Sequence, residues 1–261
     1  MGMSNMAGYE ERYCAYVDVL GFRELIAALG DGSIQFEAIR DLLQRVHKPH
    51  DEQFVGYGDT DFRAQSISDA VALSTKKNDV GLAVLCATLR DLSLALLYQG
   101  YFTRGVLCSG LLYHDDKMVF GEAFVKAYTL ETGVVRYPRI MLTKDVAEAA
   151  LNSTYDDTFP EHIKQAEDGL YFLHILWRLR MKLDLIKTWG IENPQPEPDL
   201  SYFSTIQRMI QTRFNESVDT PKHFEKVQWF ARYWNDSIIQ IRSQIGRING
   251  PGLDQKPAVW G

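Results

Sequence analysis

The chain is short of cysteine, of positive charge and of long apolar runs. Its three cysteines, Cys14, Cys86 and Cys108, stand in or beside apolar stretches without CxxC spacing. That excludes a disulfide framework or zinc ribbon and leaves buried free thiols of a reducing compartment as the expectation. Lys and Arg number 28 against 34 Asp and Glu, a net charge of -6, which weighs against a nucleic-acid binder, whose phosphate contacts call for a basic excess. The longest apolar stretch, 82–97, is interrupted by Arg90 and Asp91 and falls short of the ~20 residues that span a bilayer. The N-terminal Met-Gly-Met-Ser-Asn-Met-Ala lacks a signal-peptide pattern, so a cytoplasmic location without membrane contact is expected. Internal repeats, a P-loop, a GxSxG motif and zinc spacing are also missing from the sequence. The composition, 46% hydrophobic and 24% charged over 261 residues, suits one sizeable core with an appendage.

What is present centres on Tyr16-Val17-Asp18-Val19-Leu20-Gly21-Phe22. An apolar run carrying one carboxylate near its end reads as a buried strand that brings Asp18 to a sheet edge. Gly21 then permits a tight turn whose N–H groups can face an anion. A second carboxylate, Asp69, has a similar setting in Ser66-Ile67-Ser68-Asp69-Ala70-Val71-Ala72-Leu73. Buried Asp is costly unless paired or metal-bound, so two of them at strand ends point to a divalent-cation site.

In chain order, a helix over 23–29 stops at Gly30-Asp31-Gly32, and Ser33 caps another over 34–46. His47 and His50 flank Pro49, which breaks the helix that would align them, and read as loop residues. Residues 53–61 are loop-like, and 63–74 form two short strands meeting at Ser68-Asp69. A helix over 79–99 ends at Gly100, followed by a strand over 102–112, a polar turn at 114–117 and a short strand over 118–120. A helix over 122–132, a strand over 139–143 and a helix over 144–151 come next. This order predicts an α+β fold: a mixed sheet of ferredoxin-like or palm type flanked by helices. Residues 1–165 are expected to form the core and 166–249 a C-terminal extension. That extension comprises a strand over 168–173, helices over 177–189, 202–214 and 221–247, and a Pro-rich break at 191–200. Trp229, Phe230 and Trp234 serve as core or interface, and 250–261 as a mobile tail.

An Asp near the end of the first strand followed by Gly-Phe, then a hairpin Asp, resembles the class III nucleotidyl cyclases. Two further stretches strengthen the resemblance, which covers residues 12–145. One is Arg104-Gly105-Val106-Leu107-Cys108-Ser109-Gly110, close to the family's Arg-x-Gly-x-x-x-Gly. The other is the Gly-led helix Gly121-Glu122-Ala123-Phe124-Val125-Lys126-Ala127-Tyr128. The resemblance implies two Mn²⁺ or Mg²⁺ ions per site, held by Asp18, Asp69 and the Val19 carbonyl. It further implies a triphosphate cradled by the Leu20, Gly21 and Phe22 amides, and a homodimer sharing two sites.

The sequence departs from purine-specific members where they read the base, with Gln65 and Met118 at those positions. A stand-alone core with a helical extension is most similar to the Pycsar pyrimidine cyclases of bacterial anti-phage defence. These make cyclic UMP or cyclic CMP for a separate effector that responds to the cyclic nucleotide. UTP is therefore the expected substrate, with CTP the nearest competitor; Gln65 and Tyr57 are candidates for contacting the base, and Arg104 and Lys126 for contacting phosphate. The family's transition-state Asn and Arg fall at Val125 and Thr129, which cannot do that chemistry. A catalytically inactive nucleotide-binding sensor is thus a second reading, and a palm-type polymerase or nucleotidyltransferase a third. Each side chain also has an ordinary structural alternative: Asp69 as a turn residue, Arg104 paired with a surface carboxylate, Lys126 as a solvated helix lysine.

Overall fold

The computed structural model describes residues 8–30, 32, 40, 60–68, 70–155, 159–177, 200–238 and 245–253. Strand β1 (Glu10–Leu20) lies inside the sheet and is buried continuously from Arg12 to Val17. Burial on both faces is why it reads as an unbroken apolar run and not as an alternating one. It leads into α1 (Phe22–Gly30), then β2 (Arg63–Ile67), β3 (Ala70–Lys76), α2 (Asp79–Tyr98) and β4 (Phe102–His114). There follow β5 (Val119–Phe120), α3 (Glu122–Gly133), β6 (Ile140–Leu142), α4 (Lys144–Leu151), a 3-10 turn (Phe159–His162), β7 (Ile163–Gln165) and β8 (Tyr171–Leu173). Helices α5 (Leu200–Ser217) and α6 (Pro221–Ile238) come last.

The sheet runs β2-β3-β1-β4-β6-β8-β7, with β5 paired to β4. β1 is antiparallel to β3 and β4, and β2 to β3. A β-α-β-β-α-β chain laid down in that spatial order is the ferredoxin-like, palm-type arrangement. Here it is widened by β6, parallel to β4, and by the β7–β8 pair. The expected α+β mixed sheet flanked by helices is therefore what the chain forms.

One face of the sheet presents Cys14, Tyr16, Ala70, Val106, Cys108 and Leu112 to Ala123 and Ala127 of α3. On the opposite face, Thr75 Oγ1 donates to the Gly81 carbonyl and Thr103 Oγ1 to Ser93 Oγ, each at 2.9 Å, which fixes α2 there. By length and composition α2 could cross a membrane, yet 78% of that span is buried inside the protein; it is a core helix. The thiols of Cys14, Cys86 and Cys108 are free and buried. Burial pushes those of Cys86 and Cys108 up to about 12, so they remain protonated and unreactive.

The chain divides into two compact units, one of Met1–Ser93, Phe102–Val135 and Arg139–His174, the other of Leu94–Tyr101, Arg136–Pro138 and Ile175–Gly261. In the second, Phe214 and Phe224 pack at 5.2 Å, Trp229 stacks on Tyr137 at 5.4 Å, and Phe230 and Trp234 are fully buried. Four expectations need correction. The last helix is described over Pro221–Ile238 and does not reach 247, since Ile245–Asn249 is irregular: Trp234 Nε1 donates to the Gly246 carbonyl, and the Asn235 amide bonds both N–H and C=O of Ile248. These side-chain bonds hold the segment as a strap in place of further helix. The strand expected over 168–173 is confined to Tyr171–Leu173, since Gly169, with φ 77°, turns the chain. That strand, assigned to the extension, pairs with β6 inside the main sheet. β7 had no counterpart in the sequence reading. The helices expected over 34–46 and 177–189, the loop over 53–61, the Pro-rich break and the end of the tail fall outside the described residues, apart from Arg40, Thr60, Asp61, Trp177 and Leu200.

Candidate active site

β1 carries Asp18 to two residues before its end. The strand then yields at Gly21, with φ 89°, to α1 starting at Phe22. A side chain at that φ would be strained, so glycine permits the strand-to-helix turn. The first N–H groups of α1 have no partner within their own helix and lie just beyond Asp18 in the chain. Val19 and Phe22 are buried, Leu20 is half-buried and Gly21 is exposed.

The ladders fix the neighbours of Asp18. Ile67 stands opposite Ala70, Ala70 opposite Asp18, and Asp18 opposite Arg104. The four side chains form one row on the face that carries α3. Gln65, Ala72, Tyr16 and Val106 form the next row on that face. Gly105 makes this close pairing possible: a Cβ there would lie 2.6 Å from the Tyr16 carbonyl oxygen and 3.0 Å from Val17 Cα.

Arg104 meets two carboxylates. Its Nη2 lies 3.4 Å from Asp18 Oδ2, and its Nε lies 2.5 Å from Glu131 Oε1. The second contact is ionic and too bent for a hydrogen bond. Nη1 also reaches the Val135 carbonyl at 3.4 Å. The side chains of Asp18 and Arg104 are 19% and 20% exposed, that of Glu131 only 2%. Arg104 thus meets Asp18 and the buried Glu131, not the surface carboxylate weighed as its alternative.

Lys126 occupies a different position. It lies on α3 with Nζ 3.9 Å from Asp145 Oδ1 and about 7 Å of helical rise before Glu131. Lys126 lines an open hollow of about 660 Å³ together with Tyr9, Gly121, Glu122, Val125, Thr129 and Leu130. Asp145 accepts a 2.6 Å hydrogen bond from Ser109. Partial burial raises its pKa, but the Ser109 and Thr143 hydroxyls and the Lys126 charge outweigh that and hold the carboxyl below its usual range. Val125 and Thr129 are exposed on the outer side of α3.

Gln65 donates Nε2 to the Lys117 carbonyl at 3.0 Å, while its Oε1 is buried without a partner. Met118 beside it is 49% exposed. Tyr57 and Asp69 lie outside the described residues, as does any second carboxylate that Asp69 would add. Among the described residues no group of three or more His, Cys, Asp or Glu gathers as a ligand set. Asp18 offers carboxylate oxygen of the kind a hard cation takes and stands partly in solvent, with the Arg104 guanidinium against it. Ala70, next in the chain to Asp69, is its register partner.

Glu131 is the site residue the sequence reading missed. Its signal was a carboxylate spaced by four from Ala127 and by eight from Ala123, within the stripe of α3 that faces the sheet.

No protein-family model matches the chain, and no curated protein matches it. Among solved structures it is similar to two of a bacterial light-regulated adenylyl cyclase. One is 18% identical over 55% of this chain and 46% of that one, with a TM-score of 0.38. The other is 16% identical over 64% and 52%, with a TM-score of 0.40. The chain therefore spans about half the length of both. An adenylate/guanylate cyclase/hydrolase from Silicibacter pomeroyi is 14% identical over 63% of this chain and 95% of that one, with a TM-score of 0.36.

Proposed function

We propose that this chain is a pyrimidine nucleotide cyclase, converting UTP to 3′,5′-cyclic UMP and pyrophosphate, with CTP as the nearest alternative substrate. The ribose 3′-oxygen bonds to the α-phosphorus, the bond from that phosphorus to pyrophosphate breaks, and the 3′-hydroxyl proton is lost. The observation that carries the reading is Asp18: a partly exposed carboxylate at the end of an interior strand, one row partner from Arg104 and followed at once by the Gly21 turn into α1.

In this reading Asp18, Asp69 and the Val19 carbonyl are the oxygen donors for Mn²⁺ or Mg²⁺. Bound there, two such ions lower the pKa of the 3′-hydroxyl and neutralise phosphate charge. The amides at Leu20, Gly21 and Phe22 take the triphosphate, as the start of a helix suits an anion. Arg104 brings positive charge to the same row. Gln65, its amide nitrogen tied to Lys117 and its Oε1 buried, can accept from uracil N3–H or the cytosine amino group once that oxygen is uncovered; Tyr57 packs on the ring. Lys126 contacts phosphate only if the nucleotide extends toward the hollow on α3. The exposed Met118, Phe120, Val125 and Tyr128 suit a homodimer interface that completes each site. The cyclic product signals to a separate effector in anti-phage defence.

A nucleotide-binding sensor without catalysis is the second reading, favoured by Val125 and Thr129 at the positions of the resembled family's Asn and Arg. One assay separates the two. The purified chain is incubated with Mn²⁺ and each of ATP, GTP, CTP and UTP, and products are identified by mass spectrometry. A cyclic pyrimidine monophosphate supports the cyclase reading and names the base. A cyclic purine product overturns the specificity, and no product from any triphosphate favours the sensor.

A further inference from the structure

The turn between β4 and β5 is built as a closed unit. Asp115 Oδ1 accepts from the Lys117 and Met118 N–H groups, each at 2.8 Å, and the Asp115 N–H donates to the Met118 carbonyl at 3.1 Å. Tyr113 Oη adds a 2.9 Å bond to Asp115 Oδ2. An aspartate bonded to the backbone two and three residues on forms a turn by itself, so residues 115–118 keep their shape without the sheet. Two contacts nevertheless tie them to β2, an edge strand. The Lys117 carbonyl takes Gln65 Nε2 at 3.0 Å, and Asp116 Oδ1 lies 3.0 Å from Arg63 Nη1.

The first tie has a cost. A carbonyl oxygen only accepts, so the Gln65 amide turns its nitrogen to Lys117 and its own oxygen elsewhere. That oxygen is buried and has no partner, a state that native proteins avoid. The second tie is weak. The Asp116 side chain is 91% exposed, Arg63 is also paired with Asp61 at 2.8 Å, and exposed ion pairs contribute little. A turn rigid in itself is thus held by a weak ion pair against an amide whose acceptor goes unpaired. It is poised to lift for a group that brings that acceptor a donor.

We propose that the 115–118 turn is a latch on Gln65: closed in the free chain, it withholds the side chain, and an incoming pyrimidine opens it by giving an N–H to Oε1. This rests on the reading of Gln65 as the residue that contacts the base. Because binding must first break the tie to the turn, the measured affinity is lowered by the small fraction of molecules that stand open. Loosening the turn without touching Gln65 therefore tightens binding.

Asp116→Ala loosens the turn and leaves Arg63 its pairing with Asp61. The probe is the 3′-deoxy analogue of UTP, which lacks the attacking oxygen and so binds without being cyclised. It is titrated with Mn²⁺ into the full chain by calorimetry. Affinity should rise about 2–5-fold in Asp116→Ala, the factor that loss of one exposed ion pair allows. In Gln65→Leu, with no acceptor to release, adding Asp116→Ala should change nothing. The chain without nucleotide gives a second readout. Exchange of the Gln65 side-chain amide protons with solvent, followed by NMR, should quicken by the same factor in Asp116→Ala. Thermal unfolding reports whether each variant is folded. An equal gain with and without Gln65 overturns the latch, because the lost negative charge then acts on the triphosphate directly. Tighter binding with unchanged amide exchange overturns it too, since the turn has not moved. Unchanged affinity also overturns it, and leaves nucleotide binding by the native chain standing. If neither the native protein nor any variant binds the analogue, the nucleotide reading and the latch fall together.

Discussion

Asp18 and Arg104 stand directly opposite each other in the β1–β4 ladder, with Oδ2 and Nη2 3.4 Å apart. The pair is loose, because Arg104 is held more closely by Glu131. Asp18 can therefore be neutralised without leaving Arg104 unpaired. Asp18→Asn should keep the native thermal midpoint to within a few degrees while kcat/KM for cyclisation falls by at least about 100-fold, as when a charge-stabilising group is removed. Turnover is measured as cyclic product by mass spectrometry. Near-native turnover in this variant would sink the mechanism.

The row containing that pair depends on Gly105. Its absent Cβ would press on the Tyr16 carbonyl oxygen and Val17 Cα, both backbone atoms of β1, and backbone cannot rotate away as a side chain can. Gly105→Ala should cost about 1–3 kcal/mol, the usual penalty for overpacking, read from the urea midpoint. An unchanged midpoint would mean that β1 and β4 separate at no cost.

How far the fold could be read from the chain follows from these contacts. β1 was legible because an interior strand buried on both faces is apolar without a break, and Asp18 was legible because it interrupts that run. β7 was not: Ile163-Lys164-Gln165 has one apolar residue and is a strand only because β8 pairs with it. The overrun of α6 has a similar cause, since what holds Ile245–Asn249 out of a helix is the side chains of Trp234 and Asn235, within α6, bonded to the backbone of Gly246 and Ile248. Glu131 was hidden because glutamate is a good helix former and passes for a solvated position. Only the packing of α3 on the sheet turns it inward. The distance of Lys126 from Arg104 was likewise unreadable, as it depends on how α3 lies along β4.

Ser68 adopts φ 58°, a left-handed conformation, in the two-residue connection between β2 and β3. Tight hairpin loops favour glycine or asparagine there, and a serine Cβ carries a strain cost. Ser68→Gly relieves it but frees the unfolded chain, so the net gain should be about 0.5–1 kcal/mol. A rise in the urea midpoint checks this. A fall would mean that the serine side chain contributes more than its backbone costs.

His114 links the sheet to pH. It ends β4, is buried, and has Nδ1 2.8 Å from Ser74 Oγ. Ser74 Oγ accepts from Arg12 Nε at 3.3 Å, so its own proton goes to His114 Nδ1, and the neutral ring carries its hydrogen on Nε2, which is buried without a partner. Burial first, then the charges of Arg12 and Arg63, push the His114 pKa from 6.5 down to about 4, against weaker opposing pulls from Asp115 and Asp61. Between those two values the unfolded chain holds a proton that the folded chain refuses. Stability from this group is therefore complete above pH 6.5 and is lost as pH falls toward 4, by roughly 3 kcal/mol over the full window. Asp61, Asp145 and Asp168, whose carboxyls are held below their usual range, add acid sensitivity of their own, so the informative quantity is a difference between proteins. His114→Gln keeps an acceptor for Ser74 but cannot titrate. Urea unfolding of both proteins at pH 7 and pH 5 should show the native chain losing about 2 kcal/mol more than the variant. Equal losses would mean that His114 is protonated inside the folded protein at pH 5.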